Sequence, residues 1–334
     1  MPWKGEKDPY KIWLSEIILQ QTRVEQGLSY YNEFVRNFPD IKKLANAPDS
    51  TIFKLWEGLG YYSRCRNLIV TARHIALDRN GVFPNTYEEI VGLKGVGPYT
   101  AAAISSFAFS LSHAVVDGNV FRVLSRIFGI DTPIDSTVGK KYFTQLANEL
   151  IDEKQAGAYN QAIMDFGAMI CKPVPQCDQC VFNNSCYALL NNRINELPVK
   201  EKKITIKKRW FYYLLIEHKN QLAIRQRTAK DIWQQLYEFP MIENAKDIEQ
   251  GNVLARAEKQ KWFIPGKYEV LTISPVYKQQ LSHQLIAGRF IHVRVRNKPN
   301  QAGWQWVNET GLGKFAFPGV INQYLVKARE QNQF

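Results

Sequence analysis

At 334 residues, 45% of them hydrophobic, the chain is long enough for two or three domains with real cores. No apolar run approaches the ~20 residues of a membrane span and the charged N-terminus has no signal-peptide core, so the sequence reads as a soluble, cytoplasmic protein. The net charge of +12 suits a polyanionic partner and is lopsided: residues 1–200 carry 21 Lys/Arg against 20 Asp/Glu, and 201–334 carry 22 against 11.

Helical signals run from the start to about residue 190. Asp8 is a good N-cap with Pro9 at the first helical position, and apolar Ile12, Trp13, Ile17 and Leu19 follow on one helix that also carries Glu16. Further helices are predicted over 24–37, 49–56 and 64–79. Asn85-Thr86 opens a short helix stopped by Gly95, and Pro98 starts an Ala-rich one. Helices over 119–128, 138–151 and 157–169 complete this half. From about residue 205 the texture becomes aromatic and β-branched: Trp210 to Glu217 and Gln221 to Arg227 form a hairpin around His-Lys-Asn, and Arg289 to Arg296 alternates as a strand. The linker between the halves, 191–209, includes the charged and exposed stretch Lys200 to Arg209. A last helix spans Gly319 to Arg329.

Three features carry chemistry. The hairpin Leu93-Lys-Gly-Val-Gly97 has two glycines, Gly95 and Gly97, which let a turn adopt positive φ and let a phosphate approach the backbone at the start of the following helix. Glu16, mid-helix among apolar neighbours, is placed to have its pKa raised and to donate a proton near neutral pH. Asp117, in Val116-Asp-Gly-Asn-Val120, is the second acid; Asn119 is the better-placed N-cap for the helix that follows, which leaves Asp117 free. Two such acids match the logic of glycosidic cleavage, one protonating the leaving group and the other facing the cationic sugar. The third feature is Cys171, Cys177, Cys180 and Cys186, spaced C-x5-C-x2-C-x5-C, which can hold a tetrahedral zinc or a [4Fe-4S] cluster. Cys65 stands apart.

Taken with Gly58-Leu-Gly-Tyr-Tyr-Ser-Arg64 and Asn160-Gln-Ala-Ile-Met-Asp-Phe-Gly167, the stretches Trp13 to Thr22, Leu93 to Thr100 and Val116 to Leu124 resemble the MutY-type adenine DNA glycosylases over nearly the whole chain. The resemblance implies a multidomain protein: an all-α helix-hairpin-helix glycosylase core over 1–190, with hairpin 93–97 and a [4Fe-4S] cluster loop 171–186, then linker 191–209 and an α+β Nudix-like 8-oxoguanine recognition domain over 210–334. It implies excision of adenine flipped out of a mispair with 8-oxoguanine or guanine in duplex DNA, by a monomer. Glu16 would protonate adenine at N7. Asp117 would stabilise the oxocarbenium sugar or form a transient adduct, assisted by Tyr99 and Asn119.

The same resemblance makes Gln21 and Tyr61 wedge residues in DNA contact with the hairpin glycines, and Trp3, Lys4 and Gln161 candidates for the adenine pocket. Ile232 to Pro240 resembles the recognition domain's Trp-x-x-Leu-Tyr-x-Phe-Pro signature, and Leu281-Ser-His283 its Phe-Ser-His loop, so that Ser282 and His283 read the lesion. No Nudix box is present. Three departures stand out: five residues rather than six between Cys171 and Cys177, Leu281 in place of Phe, and roughly one helix fewer upstream of Met1 than in relatives. Two other readings share parts of the pattern. An endonuclease III-like glycosylase/lyase has a Schiff-base lysine where this chain has Tyr99, and a silent iron-sulfur DNA-binding protein has no use for both acids.

Overall fold

The structure is a computed structural model that describes residues 4–201 and 205–331; Trp3 lies outside them. The chain forms two compact units, residues 1–47 with 66–203 and residues 48–65 with 204–334.

The first unit is helical. Its elements are α1 (Pro9–Leu19), α2 (Val24–Asn37) and α3 (Ile41–Asn46); after the excursion through α4 (Asp49–Trp56) and the start of α5 (Tyr62–Asp78), it resumes with α6 (Tyr87–Val91), α7 (Pro98–Phe109), α8 (Gly118–Phe128), α9 (Thr137–Leu150), α10 (Ala156–Met169) and α11 (Tyr187–Leu190). The capping signals work as written: Asp8 accepts from the Tyr10 amide and Thr86 from the Glu89 amide. Helix α3 has no counterpart in the sequence reading. Its six residues make too little periodic pattern to register, and it is started by Asp40, whose carboxylate accepts from Lys43 N.

Helix α7 is the hub. Ala101 to Ser106 are all buried, and small side chains let neighbours close in, with α1 and α10 packing on it. At Gly157 of α10 a Cβ would stand 3.0 Å from the Ser106 carbonyl oxygen, tighter than most packed side chains tolerate. Asn160, fully buried, ties the layer together: its Oδ1 accepts from Val115 N at 3.0 Å, and its Nδ2 donates to Ser106 Oγ and to the His113 carbonyl, each at 2.9 Å. That fixes the extended segment leading to Asp117.

The second unit is built on an eight-stranded sheet: β1 (Lys207–His218), β2 (Gln221–Gln226), β3 (Tyr237–Glu238), β4 (Met241–Asn244), β5 (Tyr268–Ile273), β6 (Tyr277–Gln280), β7 (Gln284–Val295) and β8 (Trp304–Asn308). The central pair β1 and β7 run parallel, from Lys207 opposite Gln284 to Glu217 opposite Arg294. Strand β1 reads as an unbroken apolar run because both its faces are covered. Trp210, Tyr212, Leu214 and Ile216 pack with Val253, Leu254 and Ala257 of α12 (Gln250–Lys259). On the opposite face Tyr213 stacks on Phe290, which stacks on Tyr324 of α13 (Gly319–Glu330). Residues 48–65 belong to this unit through Glu57, whose Oε1 accepts from Phe317 N at 2.7 Å and Asn322 Nδ2 at 2.9 Å.

The expectation that Lys200 to Arg209 is exposed throughout fails at its end. Strand β1 already begins at Lys207, and Arg209 is buried, its guanidinium paired with Asp231 at 2.7 Å and Glu243 at 2.6 Å. Two carboxylates from elsewhere in the unit offset the desolvation that would otherwise keep this charge at the surface.

Candidate active site

A cavity of about 610 Å³ in the helical unit is walled by α1, α7, the start of α8, α10 and residues 4–7. Glu16, Tyr99, Asp117 and Asn119 all line it, as do Lys4 and Gln161. Four helices therefore converge residues spread over most of the unit's length on one space large enough for a nucleoside.

Glu16 keeps an opening to the cavity, but its carboxyl is enclosed by protein. Loss of water pushes its pKa up to about 7; the hydrogen bond from the Tyr99 hydroxyl opposes this, and the charge of Asp117 adds to it. A carboxyl in this state is protonated in a large fraction of molecules at neutral pH. The Tyr99 phenol is itself held well above its ordinary range, first by burial and then by the two acids.

Asp117 departs from the sequence expectation. It is itself the N-cap of α8, and Asn119 is not: Asp117 Oδ1 accepts from Asn119 N and Val120 N, both at 2.8 Å, and Oδ2 accepts from Asn119 Nδ2 at 3.0 Å. The cap must precede the first helical residue, Gly118, and only Asp117 has the extended backbone for it. The carboxylate is thereby fixed at the positive end of a helix rather than left free. Asn119 is held in turn by Arg122, whose Nη2 donates to Asn119 Oδ1 at 2.8 Å and to the Gly167 carbonyl at 2.7 Å, while its Nε donates to the Cys171 carbonyl at 2.7 Å. Sequence reasoning passed over Arg122, whose one signal was a helical spacing of three residues from Asn119.

The two hairpin glycines differ in conformation, against the expectation of positive φ at both. Gly95 has φ +81°, but Gly97 has φ −95° and ψ 175°, extended backbone open to any residue. The two glycines therefore serve different ends. A Cβ at Gly95 would sit 2.6 Å from Asn67 Cβ, so this glycine lets the turn rest on α5; the turn is tied there by Thr71 Oγ1 donating to the Lys94 carbonyl at 2.9 Å. At Gly97 a Cβ meets nothing, and no side chain caps α7, so the amides at its start are left without a side-chain acceptor.

Of the expected wedge residues, Gln21 lies in the helical unit at φ +56° and Tyr61 in the sheet unit at φ +46°. Both are exposed, and both hold a left-handed conformation that costs a non-glycine residue about 1 kcal/mol or more. The Arg64 guanidinium lies 5.4 Å from the Tyr61 ring and 5.3 Å from the Trp56 ring. The Tyr61 hydroxyl hydrogen-bonds Ser282, which brings together two residues that the sequence reading had assigned to separate tasks. Ser282 and His283 are exposed in the turn between β6 and β7, which Leu281 N closes on the Gln284 carbonyl at 2.7 Å.

The four cysteines Cys171, Cys177, Cys180 and Cys186 line one small cavity together with Arg126, Phe166 and Ile170. Arg126 is the pin of this region: Nη1 donates to Cys171 Sγ at 3.7 Å and to the Lys172 carbonyl at 2.7 Å, and Nη2 to the Pro173 carbonyl at 3.0 Å. The shortened segment between Cys171 and Cys177 closes without strain, with Gln176 N donating to the Ile170 carbonyl at 3.0 Å. Burial pushes the Cys171 thiol up, and the Arg126 guanidinium at its sulfur opposes that shift; four sulfurs lining one cavity are a donor set that fits a metal group. Among the described residues no three such side chains converge as a single ion requires. Cys65, fully buried in α5, lies outside this group.

This fold and site define a base-excision DNA repair protein: the helix-hairpin-helix (HhH-GPD) superfamily profile matches residues 14–150 and a NUDIX domain profile residues 211–327. An adenine DNA glycosylase of Buchnera aphidicola subsp. Baizongia pistaciae is 37% identical over 289 residues, covering 85% of this chain and 78% of that one. The human adenine DNA glycosylase is 39% identical over 198 residues, covering 56% of this chain and 36% of that one. Among solved structures, a thermostable thymine-DNA glycosylase aligns with a TM-score of 0.54 at 31% identity, over 57% of this chain and 88% of that chain. A trapped endonuclease III–DNA intermediate shares the fold, with a TM-score of 0.50 at 20% identity, over 56% and 87% of the two chains. The chain belongs to the adenine DNA glycosylase family and is a DNA glycosylase, a hydrolase of N-glycosyl bonds. No helix among the described residues is long and apolar enough to cross a membrane.

Proposed function

We propose that the enzyme excises adenine mispaired with 8-oxoguanine or guanine, acting as a monomer on duplex DNA, with Glu16 as general acid and Asp117 facing the sugar. The observation that carries this reading is the pairing, in one cavity, of a desolvated carboxyl titrating near 7 with a second carboxylate fixed at a helix start. In the reaction so read, the flipped adenine enters the cavity and Glu16 gives its proton to N7. The C1′–N9 bond then breaks with its electron pair leaving on the base, and the positive charge on C1′ and the ring oxygen is met by Asp117. Water adds to C1′ and loses a proton to the Glu16 carboxylate, which restores the acid and leaves free adenine and an abasic site. Tyr99 supplies a hydroxyl rather than an amine, so the strand is left intact.

The exposed amides at the start of α7 take a DNA phosphate, while Gln21 and Tyr61 enter the stack. Ser282 and His283 read the 8-oxoguanine face, where N7 carries a hydrogen that guanine lacks. Cys171, Cys177, Cys180 and Cys186 would hold a [4Fe-4S] cluster, one thiolate each, since their four sulfurs line one cavity. Such a cluster, when bound, supplies a covalent cross-link for residues 171–186.

One assay tests the reading: a duplex with adenine opposite 8-oxoguanine, followed for free base and for strand breakage before and after alkali. Free adenine with breakage only after alkali is the expected result. Breakage without alkali supports the glycosylase/lyase reading in its place, and binding without base release supports a silent protein.

A further inference from the structure

Helix α10 presents one face to the active-site cavity, with Gly157, Ala158, Gln161, Met164, Asp165 and Ala168 at helical spacing. Within this stripe Asp165 has no part in the reading above, yet both of its oxygens are engaged. Oδ1 accepts from Gln161 Nε2 at 2.9 Å, one turn earlier on the same helix, and Oδ2 accepts from Lys4 Nζ at 2.7 Å.

The consequence lies in the amide. A glutamine side chain has nearly the same shape with its oxygen and nitrogen exchanged, so its neighbours decide which end faces a ligand. A carboxylate only accepts hydrogen bonds, so Asp165 compels Gln161 to turn its NH2 towards it and leaves the amide oxygen as the end available to the cavity. Adenine carries an amino donor at C6; hypoxanthine and guanine carry a carbonyl acceptor there. An acceptor oxygen from Gln161 pairs with the first and opposes the other two. We propose that Asp165 is a positioning residue for base selectivity: by fixing the polarity of the Gln161 amide, with Lys4 holding the carboxylate in place, it makes the cavity accept a 6-amino purine and reject a 6-oxo purine. The proposal rests on the reading of this cavity as the site of the flipped base.

The test is single-turnover base release by the full-length enzyme from two duplexes that differ only in carrying adenine or hypoxanthine opposite guanine. Asp165→Asn offers the Gln161 amide a donor as well as an acceptor and frees it to invert. The adenine-to-hypoxanthine rate ratio should fall at least about ten-fold. Asp165→Glu should recover most of it. In the double variant Gln161→Glu with Asp165→Asn, residue 161 can only accept, so adenine preference should return without Asp165. An unchanged ratio in Asp165→Asn, or an equal loss on both duplexes, overturns the proposal, as does a double variant no more selective than Asp165→Asn. If the wild-type enzyme releases no adenine at all, the underlying reading of the cavity fails instead, and the two failures are told apart by that one control.

Discussion

The cavity around Glu16 and the turn at Ser282 are built on opposite principles. In the helical unit, four helices enclose two carboxyls, and each polar group the cavity uses is held by another: Tyr99 on Glu16, Asn119 on Asp117, Arg122 on Asn119. In the sheet unit, Ser282 and His283 project from an exposed turn, where the Ser282 hydroxyl meets Tyr61 and the His283 carbonyl accepts from Lys207 N at 2.9 Å. Proton transfer needs a group removed from water, because burial is what raises a carboxyl's pKa. Reading a base within duplex DNA needs a group that reaches outward, since the edge to be recognised lies in a groove. The comparison teaches that loss of either cavity acid should cost rate, whereas loss of a turn residue should cost discrimination of the base opposite adenine.

The largest expected effect is on the cavity side. Glu16→Gln should lower adenine release on the order of a thousand-fold while leaving duplex affinity within a few-fold, because it removes an acid and no phosphate contact. Asp117→Asn should be comparably damaging to the rate while its melting temperature stays near wild type, because asparagine keeps the Oδ1 that accepts from Asn119 N and Val120 N. Wild-type single-turnover rates below saturation should decline as pH rises through about 7, the pH at which folded Glu16 gives up its proton. A rate that rises through that range would assign the acid elsewhere.

On the turn side the expected effect is smaller and of a different kind. Ser282→Ala with His283→Ala should cost about 1–3 kcal/mol of preference for 8-oxoguanine over guanine, measured as a ratio of rates on the two mispairs, and should leave excision opposite guanine nearly intact. If both substrates slow equally, the contrast between the two regions collapses.

The hairpin sharpens the contrast within one motif. Gly97→Ala should weaken DNA binding by several-fold without lowering the melting temperature, as there is room for the methyl group and no positive φ to strain. Gly95→Ala should destabilise the fold itself by about 1 kcal/mol or more, from φ +81° and the collision with Asn67. The last effect is one of linkage. Folded Glu16 titrates near 7, above the ordinary 4.5, so the fold is penalised progressively as pH rises between those values and fully above them. Glu16→Gln should therefore melt higher than wild type at pH 8.5, with the gain shrinking to nothing near pH 4.5.

Much of this molecule is legible locally. Asp8-Pro9 starts α1 and Thr86 caps α6 because a cap needs only a side chain and the amides two or three residues on. The β1–β2 hairpin follows from its turn residues and aromatic run. By contrast α12 and strands β5, β6 and β8 had no place in the sequence reading; their patterns are short or weakly apolar, and packing against β1 and its neighbours selects them.

The sequence by itself determined which chemical groups this protein has and roughly how its helices begin and end, because capping, proline placement and apolar periodicity act over a few residues. It put Glu16 in an apolar helix and four thiols in one segment. Tertiary structure decided what those groups face. That Asp117 rather than Asn119 caps α8, that Gly97 keeps an ordinary φ while Gly95 does not, and that Asp165 meets both Gln161 and Lys4 depend on how separate segments meet. So does the titration of Glu16, which desolvation by distant helices sets. Contacts between residues far apart in the chain leave no periodic trace in it, and it is these contacts that set two acids in different surroundings on one cavity.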